Sequence, residues 1–242
     1  MTRAPEPSSQ YSAESDCLFP NATAERQARR EMMKEPMDEF VKREQRLSES
    51  RFGISLIAGL PFSRPFLEAV STFHRQMEGP DQDLLAVPRL ENIHMTILRG
   101  RSSIFPVDVA RPVPPELDEL MQAQGRRQMT WQSIKVGPDG GIRAFSAPGQ
   151  WRFASRRLAS AAVTALAAQY SVVVRVPQRL HVTLASLKPS ASSHQLREGV
   201  QRLVNEADLP AVEVSTLRLV NFHNVGVTSA RILRTYELEE QG

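Results

Sequence analysis

The sequence predicts an α+β fold made of two lobes, preceded by a helical extension. Short apolar runs of strand length alternate with longer segments that have helical spacing. Two of the predicted strands carry the same His-x-Thr pattern, which begins at His94 and again at His181. A strand, a helix and a His-x-Thr strand follow one another in both halves, which suggests two lobes related by an internal pseudo-twofold.

The first fifty residues differ in composition from the rest of the chain. Residues 1–22 are polar and interrupted by prolines, so we expect a disordered leader. Residues 23–50 are rich in Glu, Arg, Lys, Met and Ala and predict a helical extension with a break before Pro36. This extension carries an apolar stripe of Met33, Met37, Phe40 and Val41. We expect the stripe to dock on the core, with self-association or a partner helix as the alternative.

Residues 51–239 are predicted to form one domain. A strand at 53–60 leads into a helix at 65–77, with Ser63 as its N-cap and Pro65 in its first turn. A turn at 137–140 predicts a hairpin. The other predicted strands are 84–87, 93–98, 129–136, 141–146, 172–176, 180–187, 212–222 and 228–238, and the other predicted helices are 116–124, 150–170 and 192–207. We expect strand 172–176 to pair with strand 180–187.

The two His-x-Thr strands have one apolar face and one polar face. Residues two apart on a strand project from the same side, so His94 points with Thr96, and His181 with Thr183. With five His in the chain, composition predicts only about 0.2 occurrences of His-x-Thr. The probability that two copies occur by accident, each inside an apolar strand, is about one in a hundred. A single such histidine is usually an ordinary half-buried strand residue; the pair indicates a site.

At these residues the chain resembles the two-histidine (2H) phosphoesterase superfamily, the LigT-like proteins, whose signature is two His-x-Thr/Ser-hydrophobic motifs. The motifs are 87 residues apart, and the resemblance covers residues 52–238. It implies two antiparallel sheets that face one another across a cleft, with helices outside. The family often places Pro before the second histidine, where this chain has Leu180, and Gly100 follows the first motif more closely than usual.

The resemblance also implies an activity: a phosphodiesterase acting on 2′,3′-cyclic phosphate ends of RNA or nucleotides, or on linkages next to a 2′-hydroxyl. His94 and His181 would be the general acid and base, because an unperturbed imidazole titrates near pH 6.5. For ring opening, His181 is expected as the base and His94 as the acid. Thr96 and Thr183 would donate to the phosphate.

Composition limits the partners. The net charge of +3 is too small to indicate nucleic-acid binding by itself, but arginines cluster near both motifs, and Arg99 and Arg179 are candidate substrate-rim residues. No spacing resembles a metal-ligand set, so we expect neither a metal nor another cofactor. No apolar run reaches the length of a membrane span and no secretory leader is visible, so a cytoplasmic protein without membrane attachment is expected.

Two other functions remain open. One is a non-catalytic module that keeps the fold and binds an RNA end or a nucleotide; two intact His/Thr pairs count against it, since binding needs no proton transfer. The other is an interaction protein that works through residues 23–50. Turnover of a 2′,3′-cyclic nucleotide in the presence of a chelator separates an enzyme from both.

Overall fold

A computed structural model describes residues 52–77, 85–102, 107–137, 140–187, 194–223 and 230–240. The predictions for the leader and the helical extension lie outside these residues, as do two residues of the 137–140 turn. The described strands are β1 (Phe52–Gly59), β2 (Leu85–Ala86), β3 (His94–Ser102), β4 (Arg127–Met129), β5 (Trp131–Val136), β6 (Gly141–Ser146), β7 (Val173–Arg175), β8 (His181–Leu187), β9 (Val212–Val214), β10 (Thr216–His223) and β11 (Arg231–Glu237). The described helices are α1 (Arg64–Met77), α2 (Pro115–Gln122), α3 (Arg156–Tyr170) and α4 (His194–Glu206).

Nine of these strands form a single antiparallel sheet in the order β11-β10-β1-β3-β8-β6-β5, with β7 added beside β3 and β2 beside β8. The sheet has two halves that meet where Met95 of β3 pairs with Val182 of β8. The first half contains β1, β3, β7, β10 and β11, and the second contains β2, β5, β6 and β8. Because β10 and β11 come from the end of the chain, the two halves of the sheet do not correspond to the two halves of the sequence. The α+β class with antiparallel strands is confirmed, and the two expected sheets are joined along β3 and β8.

The helices cover the apolar face of this sheet. Asp118 of α2 accepts a hydrogen bond from Tyr236 of β11 at 2.8 Å, which ties α2 to the first half. Buried His74 of α1 bonds through Nε2 to the backbone oxygen of Leu184 in β8 at 2.7 Å, which ties α1 to the second half. His74 is therefore a structural residue. Among the described residues, no helix is long and apolar enough to cross a membrane.

Two predicted strands are each divided in the structure. The prediction of one strand at 129–136 is wrong. The backbone N–H of Thr130 donates to Gln150 Oε1 at 3.0 Å instead of to a neighbouring strand, so the strand is interrupted at Thr130. The prediction at 212–222 is also wrong: Ser215 separates β9 from β10, and its carbonyl accepts from Leu238 N at 2.7 Å. The detached pieces, β4 and β9, pair with each other in a small second sheet.

Two further expectations are corrected. Strand β7 pairs with β3 rather than β8, and Gly100 allows this close approach, because a Cβ there would lie 2.9 Å from Val172 Cγ2. Helix α3 begins after Ser155 and not at residue 150. The Ser155 hydroxyl accepts a hydrogen bond from Leu158 N and caps the helix, so the preceding residues form a loop.

Candidate active site

The register between β3 and β8 brings the two His-x-Thr motifs together. Met95 and Val182 are direct partners, and both are completely buried on the helix-covered face. Extending this antiparallel register by one residue in each direction places His94 opposite Thr183, and Thr96 opposite His181, on the other face. These four side chains are half-buried. They form a compact set, with Cβ atoms about 5 Å apart across the strands and about 7–8 Å apart on the diagonal between the histidines.

His94 has a defined tautomer. Its Nδ1 lies 2.9 Å from the carbonyl oxygen of Asn92, in the turn that precedes β3. A carbonyl only accepts, so Nδ1 carries the proton, and in the neutral ring Nε2 holds the free lone pair. Burial lowers the pKa of His94, and the bond to Asn92 offsets only part of this effect. His94 therefore favours the neutral form, with Nε2 available as a base.

His181 lies beside an aromatic ring that also contacts a guanidinium group. Phe145 of β6 is its cross-strand partner, and the two rings are tilted by 47° with centroids 5.5 Å apart. The guanidinium of Arg179 lies over the Phe145 ring, 5.0 Å from its centroid. Arg179 is anchored there, since it donates to Gln132 Oε1 at 2.7 Å, to the Ser146 carbonyl at 3.3 Å and to Ser133 Oγ at 3.5 Å.

The two candidate rim arginines differ in their distance from the histidines. Arg179 reaches the site through its contact with Phe145. Arg99 lies on β3 opposite Ser55 of β1 and Arg175 of β7. It is three residues beyond Thr96, or about 10 Å along the strand. Arg99 therefore belongs to the rim of the first half rather than to the immediate surroundings of the motifs.

Three residues near the motifs were missed by the sequence reasoning: Phe145, Arg143 and Arg218. Arg143 of β6 is the cross-strand partner of Thr183. Arg218 of β10 is the partner of Ile57, which is in turn the partner of Thr96. No local pattern marks these residues, because only the pairing of distant strands brings them to the motifs.

Arg218 extends towards the first histidine. Its Nη1 donates to the carbonyl oxygen of Gly59 at 2.6 Å, and Gly59 is the cross-strand partner of His94. Gly59 has φ of +96°, and a Cβ there would lie 2.9 Å from the Ile93 carbonyl and from the Phe62 ring, so only glycine fits. The neighbour of His94 thus has no side chain, whereas the neighbour of His181 is an aromatic ring.

Within the described ranges, no three His, Cys, Asp or Glu side chains are grouped as metal binding would require. The acid–base candidates in this part of the chain are the two motif histidines. The histidines offer one imidazole with a defined lone pair and a second imidazole on the diagonal. Thr96 and Thr183 add two hydroxyl donors.

No protein-family model matches the sequence, and no curated protein matches it. Among solved structures, the chain is similar to apo LigT of Escherichia coli, with 14% identity, 79% of this chain and 100% of that chain covered, and a TM-score of 0.46. A protein of unknown function from Agrobacterium tumefaciens is 14% identical over 78% of this chain and 85% of its own, with a TM-score of 0.42. A third, described as a phosphoesterase, is 15% identical over 78% and 99%, with a TM-score of 0.43. These are likenesses of fold, so the chemistry below is proposed from this chain's own residues.

Proposed function

We infer that this protein is a 2H-type phosphodiesterase that opens 2′,3′-cyclic phosphates on RNA ends or nucleotides without a metal ion. The observation that carries this inference is the Met95–Val182 register, which supports a single site containing His94, Thr96, His181 and Thr183. A diagonal of about 7–8 Å between the histidines suits a phosphoryl group that is hydrogen-bonded on both sides.

In the proposed reaction, a water molecule attacks phosphorus while His94 Nε2 accepts one of its protons. The bond between phosphorus and one ribose oxygen breaks, and protonated His181 donates a proton to that oxygen. A phosphomonoester and a free hydroxyl result. Thr96 and Thr183 donate to the non-bridging oxygens, where negative charge increases in the transition state.

This assignment of base and acid is the reverse of the one expected from the sequence. The free lone pair on His94 Nε2 and the lowered pKa of this ring both favour the base role for ring opening. His181, which lies beside Phe145, is then the second imidazole of the site and takes the acid role. In the reverse, ligating direction the two roles exchange.

Charge around the motifs supports an anionic substrate. Arg218 approaches the His94 side through its bond to Gly59, and Arg143 pairs with Thr183 across the strands. Arg99, about 10 Å further along β3, adds positive charge at the rim of the first half. Together these cations give positive charge to the part of the sheet that carries the two hydroxyls, which favours an anionic ligand.

The test is turnover of adenosine 2′,3′-cyclic phosphate and of a short RNA with the same terminus, each with excess EDTA and followed by ³¹P NMR. We expect both rates to be unaffected by the chelator, because the two imidazoles supply the proton transfers that a metal-bound water would otherwise supply. Loss of turnover in EDTA with rescue by a divalent ion contradicts the metal-free mechanism. Binding without turnover identifies the non-catalytic alternative.

A further inference from the structure

Each motif strand contains a β-bulge directly after its threonine. On β8, the residues on either side of Leu184 pair with consecutive residues of β6. Leu184 is therefore an extra residue, without a cross-strand partner in the described pairings. On β3, the residues on either side of Ile97 pair with consecutive residues of β1, so Ile97 is extra in the same way. The two motifs thus share a backbone irregularity as well as a sequence pattern.

The burial of the two strands has the same break in its alternation. Residues 94–99 and 181–186 are each, in order, half-buried, buried, half-buried, buried, buried and half-buried. Successive side chains of a regular strand point to opposite faces, so two adjacent buried residues require the extra residue. A bulge also bends its strand and redirects the neighbouring side chains. The position of each threonine hydroxyl therefore depends on the bulge that follows it.

The bulge on β8 is held from the helix-covered face by His74 of α1. This histidine is buried, with 8% of its surface exposed, and its Nε2 lies 2.7 Å from the carbonyl oxygen of Leu184. A carbonyl only accepts, so Nε2 is the donor. The two residues are 110 positions apart in the chain, and Leu184 immediately follows Thr183. A buried carbonyl is costly to leave without a donor, so this bond fixes the bulge against α1.

We propose that His74 is a positioning residue for Thr183: its hydrogen bond to Leu184 fixes the bulge on β8 and thereby directs the Thr183 hydroxyl towards the phosphate. The proposal rests on the proposed function, in which this hydroxyl donates to a non-bridging oxygen. Such a bond depends steeply on distance and angle, so a small displacement of β8 weakens it. Thr96 lies beside the bulge on β3, and its hydroxyl does not depend on His74.

The experiment is a pair of double-mutant cycles on adenosine 2′,3′-cyclic phosphate. His74→Leu removes the donor and keeps a side chain that can be buried, and we expect kcat to fall about five- to tenfold with KM within about twofold. In the Thr183→Val background the same change should lower kcat/KM by less than about twofold, because the hydroxyl that His74 directs is already absent. In the Thr96→Val background it should keep its full effect.

Three variants complete the design. His74→Gln is the conservative replacement, because its amide N–H can donate to the same carbonyl oxygen, and it should keep at least about half of the wild-type kcat. Val70→Ala is the matched control for stability, since Val70 is a completely buried residue one turn earlier on α1 without a hydrogen-bonding side chain. We expect a lower melting temperature with kcat/KM within about twofold of the wild type. His74→Asn, whose amide is too short to reach Leu184, replaces His74→Leu if that variant does not fold.

Equal losses from His74→Leu in both threonine backgrounds overturn the assignment to Thr183. Wild-type kinetics in folded His74→Leu, or a His74→Gln variant as slow as His74→Leu, also overturn it. A wild type that does not open the substrate removes the proposed function instead, and amide hydrogen exchange measured by NMR then tests the bond to the bulge. Exchange in His74→Leu should be at least about tenfold faster at residues 184–186 and unchanged at residues 97–99. Equal exchange in the two segments contradicts the role of His74.

Discussion

Two neighbouring residues of β8 allow stability and chemistry to be separated. Val182 is completely buried on the helix-covered face, whereas Thr183 is half-buried on the face that carries the histidines. Val182→Ala removes two methyl-sized groups at about 0.8 kcal/mol each and leaves a small cavity, so we expect a loss of about 2–3 kcal/mol in the free energy of unfolding. For a domain of this size the melting temperature falls by about 5–10 °C.

Thr183→Val replaces a hydroxyl with a methyl group of nearly the same volume. We expect little change in melting temperature, within about 2 °C, because the side chain is not part of the buried core. In the proposed mechanism the lost hydrogen bond to phosphate raises the barrier by about 1.5–3 kcal/mol, which lowers kcat/KM about 10- to 150-fold. Folded Val182→Ala, in contrast, retains a rate within a few-fold of the wild type.

The assay is calorimetric unfolding together with initial rates on adenosine 2′,3′-cyclic phosphate for the wild type and both variants. Opposite profiles are required: one variant unstable and active, the other stable and slow. If Thr183→Val is fully active, the hydroxyl does not contact the reacting phosphate. If Val182→Ala loses activity as strongly as Thr183→Val while folded, the assignment of the two faces is wrong.

Three further predictions follow from other parts of the molecule. Arg218→Met should lower kcat/KM by about 10- to 100-fold with an unchanged fold, as one charge-assisted contact near the His94 side is lost, and wild-type kinetics would exclude Arg218 from substrate binding. Burial lowers the pKa of His94 in the folded protein, so on acidification the unfolded chain takes up a proton first, near pH 6.5. Stability that is present above pH 6.5 is therefore lost as the pH falls from there through the folded pKa. The melting temperature of His94→Asn should fall less than that of the wild type between pH 7.5 and 5, and parallel curves would contradict this. A chain that begins at Arg51 should keep turnover but show a lower melting temperature or a changed elution volume, whereas no change in either would mean that the apolar stripe of residues 33–41 docks nowhere.

The motif strands could be predicted because their information is local. An alternation of apolar and polar residues marks a strand with two unlike faces, and the His-x-Thr repeat marks the face that carries the candidate site residues. The structure has this alternation at both motifs, with Met95 and Val182 buried between half-buried neighbours. The α+β class follows from the same kind of local pattern, whereas the antiparallel sheets were expected from the family resemblance.

The errors and omissions have non-local causes. The side chain of Gln150 interrupts the strand at Thr130 from twenty residues away, and Gly100 accepts β7 as a neighbour from a distant part of the chain. Arg218 and Phe145 come next to the motifs only through strand pairing. Composition and periodicity do not contain these pairings, so the surroundings of the histidines could not be predicted while the histidines themselves could.

The proposed reversal of base and acid has the same origin. The sequence presents two equal imidazoles, and in the structure the Asn92 carbonyl, in the turn before β3, fixes the tautomer of His94. Phe145 and Gly59 add a second asymmetry, since the partner of His181 on β6 is an aromatic residue and the partner of His94 on β1 is a glycine. Two motifs that are alike in sequence thus lie in chemically distinct surroundings.

The central claim is that His94 and His181 perform the proton transfers at one site. The most direct measurement is kcat/KM of purified His94→Ala and His181→Ala on adenosine 2′,3′-cyclic phosphate in excess EDTA, with melting curves to establish folding. We predict that each variant loses at least 100-fold, because each removes a proton-transfer group that contributes about 10²–10⁴-fold. Activity within about tenfold of the wild type in either folded variant, equivalent to about 1.4 kcal/mol of barrier, would contradict the two-histidine mechanism.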